Sequence, residues 1–316
     1  MRFFIFLILI FTSYHLYSQN YFEYYKNVNN AGIAIIEAKY DSALYYYQKA
    51  FKDVKVQYAK DLYNAAICAS YTGNNIMGIQ YVERILRKGM TFNIFKKESF
   101  KGLKSCKEWK ALKKKSKSLI IDGRNKWDIQ LRKKIDDIYN DDQYFRKKRG
   151  SYSLYGDTIS KIDSINFIKL SDIILKYGYP DENNLGFKKP WDIDNTKFYI
   201  IVRHYYQNRG YLLSDILYKE VKKGHLLPNI YAELEDKKNN YLVGDDKYGT
   251  IVFFKINGKI KENKRTNEQI QEYNKNRKLL GLESYDDYKK KVLFMEGKTP
   301  FYFSCSEGIV ILITKK

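Results

Sequence analysis

Three cysteines, three histidines and four prolines in 316 residues leave few options for chemistry. Cys68, Cys106 and Cys305 lie far apart, with no Cys-x-x-Cys pair and no histidine at metal-ligand spacing. That pattern excludes a multi-disulfide framework and a Cys/His zinc site. An oxidising compartment permits one disulfide here without demanding it. Cys68 sits in a helical apolar pattern and reads as a small core residue. No Gly-x-Ser-x-Gly, His-Glu-x-x-His or phosphate-binding glycine loop occurs, so no reaction, metal or cofactor is expected from motifs. Long apolar runs are missing too. The longest, Phe3 to Phe11, has nine residues, against about 20 for a membrane span.

That run follows Met1-Arg2 and precedes Thr12, Ser13 and His15. A basic residue, a short apolar stretch and a small residue, Ser18, at the cut make residues 1–18 a secretory leader. The mature chain is expected to start at Gln19 and to be exported, periplasmic or secreted. The whole chain carries a formal charge of +21; the leader contributes one Arg and no acid, so +20 remains. Basic residues are spread along the chain, with short clusters at Lys113-Lys114-Lys115 and Arg146-Lys147-Lys148-Arg149. No nucleic-acid module is recognisable, so no specific nucleic-acid partner is expected.

What is present begins with a repeat. Ala43, in Tyr40 to Phe51, and Gly78, in Asn75 to Leu86, are 35 residues apart in similar surroundings. Ala31 and Ala34 precede the first unit; Ala65, Ala66 and Ala69 precede the second. This resembles the tetratricopeptide repeat, in which small residues let paired helices cross closely. Ala43 and Gly78 match its small position, Tyr47 and Val82 its next packing position, Ala50 and Ile85 its late alanine, and Gly73 its turn. Asn27 stands in place of the usual early Trp, and the terminal prolines are missing. Thr91 to Ser118, with Phe92, Phe95, Phe100, Leu103 and Trp109, is expected to form a helical hairpin capping the second repeat. Such a module either holds a peptide or supports the rest of the chain. With only two repeats, the supporting role is preferred.

Residues 119–316 read as a second, α+β domain. A long helix is expected over Ile121 to Lys148, since Trp127, Leu131, Ile135 and Ile138 recur at four, four and three. Gly150 to Asp163 reads as a loop, and Asp163-Ser164 as the cap of the next helix. Gly178 and Pro180 stop that helix. After a loop bearing Trp191, one of Asp194, Asn195 or Thr196 caps a helix with His204 on the edge of its apolar stripe. Further helices are expected over Tyr211 to Lys223 and from Pro228. Tyr248 to Ile256 reads as a strand turned back at Asn257-Gly258. Thr266 and Ser284 cap two helices. The tail, Phe301 to Ser304 and Ile309 to Ile313, reads as a terminal hairpin. The fold class expected is mainly α: two helical repeats and a helical cap over 19–118, then a mostly helical α+β domain with a small antiparallel β-hairpin.

An ordered series of short motifs runs through this second region. Asp142-Gln143 with Arg146, Gly178-Tyr179-Pro180, Gly186, Arg203-His204, Tyr231 to Asp236, Tyr248-Gly249-Thr250 and Arg277 to Leu282 occur in turn. The series resembles a bacterial domain of unknown function, often exported, with Gly-Trp-Pro, Gln-His, Tyr-Ala-x-Leu-x-Asp-Arg and Tyr-Gly-Thr motifs. The resemblance implies a domain and no activity. Tyr179 stands where that domain has Trp, Arg203 where it has Gln, and Lys237 where it has Arg.

His204 is the one histidine with company suited to acid–base work. Glu233, Asp236 and Asp142 are the candidate carboxylates beside it. Arg146, Arg203, Tyr248 and Trp191 are candidate binding residues. The competing reading makes His204 a helix-edge residue hydrogen-bonded to a neighbour. His225 reads as a surface residue. Two functions follow from different classes: an exported scaffold or interaction protein with a protein or peptide partner, and a hydrolase or other acid–base enzyme centred on His204. The first is preferred, because no nucleophile motif or metal spacing accompanies His204.

Overall fold

The computed structural model describes residues 20–190, 197–238, 246–305 and 308–312. The leader expected over 1–18, Trp191 and the caps expected at 194–196 lie outside them. The fold is mainly α, with one small three-stranded sheet.

The chain opens with two helix pairs, α1 (Tyr21–Ile36) with α2 (Tyr40–Asp53), and α3 (Ala59–Tyr71) with α4 (Asn75–Leu86). Asn20 caps α1 by accepting from the Glu23 amide. Ala31, Ala43, Ala65, Ala66 and Ala69 are all fully buried. At Gly78 a methyl group would lie 2.6 Å from a Leu103 methyl and 3.1 Å from the Ala69 Cβ. Small residues therefore stand where the elements approach most closely.

Beyond α4 the expected hairpin is not formed. Two short 3-10 turns, Phe92–Lys96 and Glu98–Phe100, lead through α5 (Lys101–Lys104) into α6 (Lys107–Arg124). Helix α6 runs on through residue 118 without a break. Nor is 121–148 one helix. The chain breaks after Arg124, and Asp128 caps a new helix, α7 (Ile129–Arg146), accepting from the Leu131 amide at 2.8 Å. Leu131, Ile135 and Ile138 are the buried stripe of α7. Trp127 merely continues their spacing from outside the helix.

The segment expected as a loop at 150–163 is helical. It belongs to α8 (Ser151–Tyr177), a 27-residue helix kinked at Tyr155. Asp163 lies inside that helix and caps nothing. Its C-terminus is at Gly178, which takes φ +75. Then come α9 (Glu182–Leu185), α10 (Lys197–Arg209), α11 (Ser214–Lys223) and α12 (Pro228–Lys238). Pro228 opens α12, where its missing N–H costs nothing.

Strand β1 (Phe253–Ile256) pairs antiparallel with β2 (Lys259–Glu262) through Asn257 and Gly258, both at positive φ. Residues 248–252 are not strand; they fold around a buried carboxylate. The tail is not a hairpin either. Strand β3 (Ile309–Leu312) lies parallel to β1, Phe253 opposite Ile309, giving the order β2-β1-β3. Helices α13 (Asn267–Leu279), with a capping box at Thr266, and α14 (Tyr285–Glu296), capped by Ser284, pack beside the sheet.

The helix pairs are tied into the rest. Tyr21, Tyr24, Tyr25 and Tyr58 belong to one apolar core with residues of α7, α8, α10, α11 and α12. The Tyr58 hydroxyl donates to the Gly224 carbonyl at 2.7 Å, and the Glu182 carboxylate accepts from the Ala59 amide at 2.9 Å.

Candidate functional site

Helices α7, α8 and α10 meet around one guanidinium. Asp142 and Arg146 stand four apart on α7 and so share a face. Arg146 donates to Asp142 Oδ1 at 3.1 Å and to both oxygens of Asp163, on α8, at 2.7 and 2.8 Å. From α10, His204 Nδ1 approaches Asp142 Oδ2 at 2.8 Å. Arg146 and Asp163 are nearly buried and the Asp142 side chain is fully so, while the His204 side chain keeps 14% exposure. Burial alone would lower the Arg146 pKa; the Asp163 and Asp142 carboxylates raise it above its ordinary value.

The carboxylate can only accept, so Nδ1 donates to it and Nε2 is the ring nitrogen outside the pair, the orientation that a general base shares. No serine, threonine or cysteine of the described residues is hydrogen-bonded to the ring. The geometry joins three helices through charge-assisted hydrogen bonds.

Of the sequence-predicted carboxylates, only Asp142 meets His204. Glu233, on α12, accepts from the Tyr199 hydroxyl at 3.2 Å. Asp236 is fully buried and organises the loop before β1. It accepts from the Lys247 and Tyr248 amides at 2.8 Å, the Thr250 amide at 2.9 Å and the Thr250 hydroxyl at 2.8 Å. Burial pushes its carboxyl up to about 6, against the pull of these donors. Tyr248 supplies an amide there, and its carbonyl accepts from Arg277 at 3.1 Å; its hydroxyl makes no bond to His204. Arg203 is half-buried beside His204 on α10. Among the described residues no cluster of three His, Cys, Asp or Glu side chains is arranged to hold a metal.

His225 is more than a surface residue. Its Nδ1 lies 2.7 Å from Glu220, which also accepts from the Tyr179 amide at 2.8 Å and from Lys223 at 2.7 Å. Against desolvation, which raises it, these donors hold Glu220 down to about 2, from an ordinary 4.5. The Glu220 hydrogen bond raises His225 above 6.5. The lowered carboxyl gives stability above pH 4.5 that is lost as pH falls toward 2. The raised imidazole gives stability below pH 6.5 that is lost as pH rises through its folded pKa. Their joint contribution is therefore full between about pH 4.5 and 6.5 and declines on both sides. Glu220→Gln is expected to flatten the pH profile of the thermal midpoint on both sides of that window. An unchanged profile would show that the pair adds nothing.

Two features went unseen in the sequence. One is a cavity of about 610 Å³ beside the break between α6 and α7. Trp127, Ile135, Leu185, Phe187 and Phe198 form its apolar wall. Spacing gave no sign of it, because Trp127 matched the helical stripe of α7.

The other is the path of the tail. Phe301 and Tyr302 lie against helix α3 of the opening helix pairs. Asn64 brackets Tyr302 from both sides: its amide donates to the Tyr302 carbonyl at 2.8 Å, and its oxygen accepts the Tyr302 N–H at 3.1 Å. Phe301 is buried between Tyr40 and Tyr71, at ring distances of 5.9 and 6.1 Å. Tyr302 sits 5.7 Å from the Tyr63 ring, and Lys97 donates to its hydroxyl at 2.9 Å.

No protein-family model matches this chain, and neither a curated protein nor a solved structure is significantly similar to it.

Proposed function

We propose that this is an exported, non-catalytic scaffold and interaction protein whose tetratricopeptide-like repeats are turned inward on its own C-terminal tail. The observation that carries the reading is the bracket of Asn64 on the Tyr302 backbone. An amide side chain that pairs with both the N–H and the carbonyl of one residue reads main chain, as a peptide-holding surface does. Here the peptide is the chain's own. Tyr25 and Tyr58, which donate to the carbonyls of Val221, Leu226 and Gly224, support the same inward role. Residues 1–18 support export. A protein or peptide partner then meets surfaces other than the tail-filled face.

The His204–Asp142 contact favours a second reading, an acid–base enzyme. It weighs less, because Arg146 and Asp163 complete that contact into a link between helices. Crosslinking in cells tests the two against each other. The scaffold reading expects the same partner species for wild type and His204→Ala. Recovery of no partner from either, or loss of a substrate-converting activity in His204→Ala, would speak for the enzyme.

A further inference from the structure

The cavity at Trp127 has a built floor and unspent charge. Trp127 is held by its indole N–H, which donates to the Lys88 carbonyl at 3.2 Å. Arg124 and Arg132 lie over the ring at 5.6 and 5.0 Å from its centroid. Gly186 runs directly against the indole: at φ +67, a Cβ there would come within 2.3 Å of it. Only glycine permits both that backbone and that approach. The indole is thus fixed before any ligand arrives, which lowers the cost of binding.

The acids at the cavity are already matched. Glu182 pairs with Lys88 at 2.8 Å, and Asp136 with Lys197 at 2.7 Å. The remaining cations are not. Arg124 donates to the Gly89 carbonyl at 3.0 Å and Arg132 to the Leu185 carbonyl. Neither they nor Lys188 meets a carboxylate among the described residues. Three positive groups therefore ring an apolar space, and its volume falls in the range of small-molecule sites.

We infer that this cavity binds a small amphiphilic carboxylate, its apolar body against Trp127 and Phe187, both partly exposed in its wall, and its head between Arg124 and Lys188. The chemistry excludes a cationic amphiphile, which would meet three like charges. A carboxylate gains charge-assisted hydrogen bonds from the guanidinium and the ammonium group. Because both head-group partners are exposed, the attraction weakens with added salt.

Isothermal titration of the full chain with dodecanoate, below its micellar range, tests the inference. One site per chain is expected, with Kd on the order of 10 µM. Dodecyltrimethylammonium is expected not to bind. Arg124→Ala/Lys188→Ala removes two exposed side chains, so the fold is retained, checked by its thermal midpoint. Its affinity for dodecanoate should fall about tenfold, the loss of two surface charge contacts. No binding of dodecanoate up to about 1 mM, equal binding of the cationic amphiphile, or unchanged affinity in the double variant would each overturn the assignment.

Discussion

Replacing Phe301 by alanine is expected to destabilise the protein by about 3–5 kcal/mol, the usual range for emptying a buried phenylalanine site. The ring is 2% exposed and belongs to the apolar core of the opening helix pairs, although it lies some 230 residues beyond α3 in sequence. Removing it leaves a void against Tyr40 and Tyr71 that rigid helices cannot close. It also frees the anchor of the tail, so the loss reaches Tyr302 and Phe303. Tyr302→Phe is the control. It deletes only the hydroxyl that Lys97 reaches at the surface and should cost under about 1 kcal/mol. Urea denaturation of the three chains reads both numbers. Equal midpoints for wild type and Phe301→Ala would mean that the tail lies elsewhere.

The second large effect is expected at Arg146. Arg146→Ala withdraws the guanidinium from two buried carboxylates, Asp142 and Asp163, and should cost about 3–5 kcal/mol. The penalty comes from charges left without compensation, so Asp142→Asn/Asp163→Asn in the same background should recover much of it. His204→Ala removes one hydrogen bond from a ring at the rim of this cluster and should cost about 1–2 kcal/mol. A link between helices predicts this order of losses, with Arg146 well above His204. If His204→Ala were the most damaging change, the ring and not the guanidinium would be the centre of the cluster.

How far the sequence carries can be seen residue by residue. Asp142, Arg146 and His204 are legible together, the first two as members of the ordered motif series and the third by its rarity. Asp163 was hidden because Gly150, Gly156 and several polar residues made its helix look like a loop. That helix is held by its buried Ile159, Leu170, Ile173 and Ile174, and tertiary packing overrides weak local propensity. Asp236 and Glu233 share helix α12 and invited a place beside His204. Asp236 instead holds the Tyr248-Gly249-Thr250 backbone, and Arg277 reaches the Tyr248 carbonyl. Several members of the ordered motif series thus meet one another as structural partners.

The helix stops, the caps at Thr266 and Ser284 and the turn at Asn257-Gly258 were readable because each is decided within a few residues. The break at Asn125 to Asp128 was masked by a hydrophobic spacing that crosses it unchanged. The parallel placement of β3 and the seat of Phe301 are long-range choices that no local pattern encodes. The Trp127 cavity is of the same kind, assembled from segments some 60 residues apart in sequence.

The chain's own tail is seated on the α3 face of the opening helix pairs, and one proton reports that seat: the Tyr302 amide, which donates to Asn64 inside the molecule. Its hydrogen-exchange rate is the measurement to make, in wild type and in Phe301→Ala. The amide is expected to be protected in wild type and to exchange about 10-fold or more faster once the anchor is removed. A Tyr302 amide that exchanges at the rate of unstructured chain in the wild-type protein would contradict it.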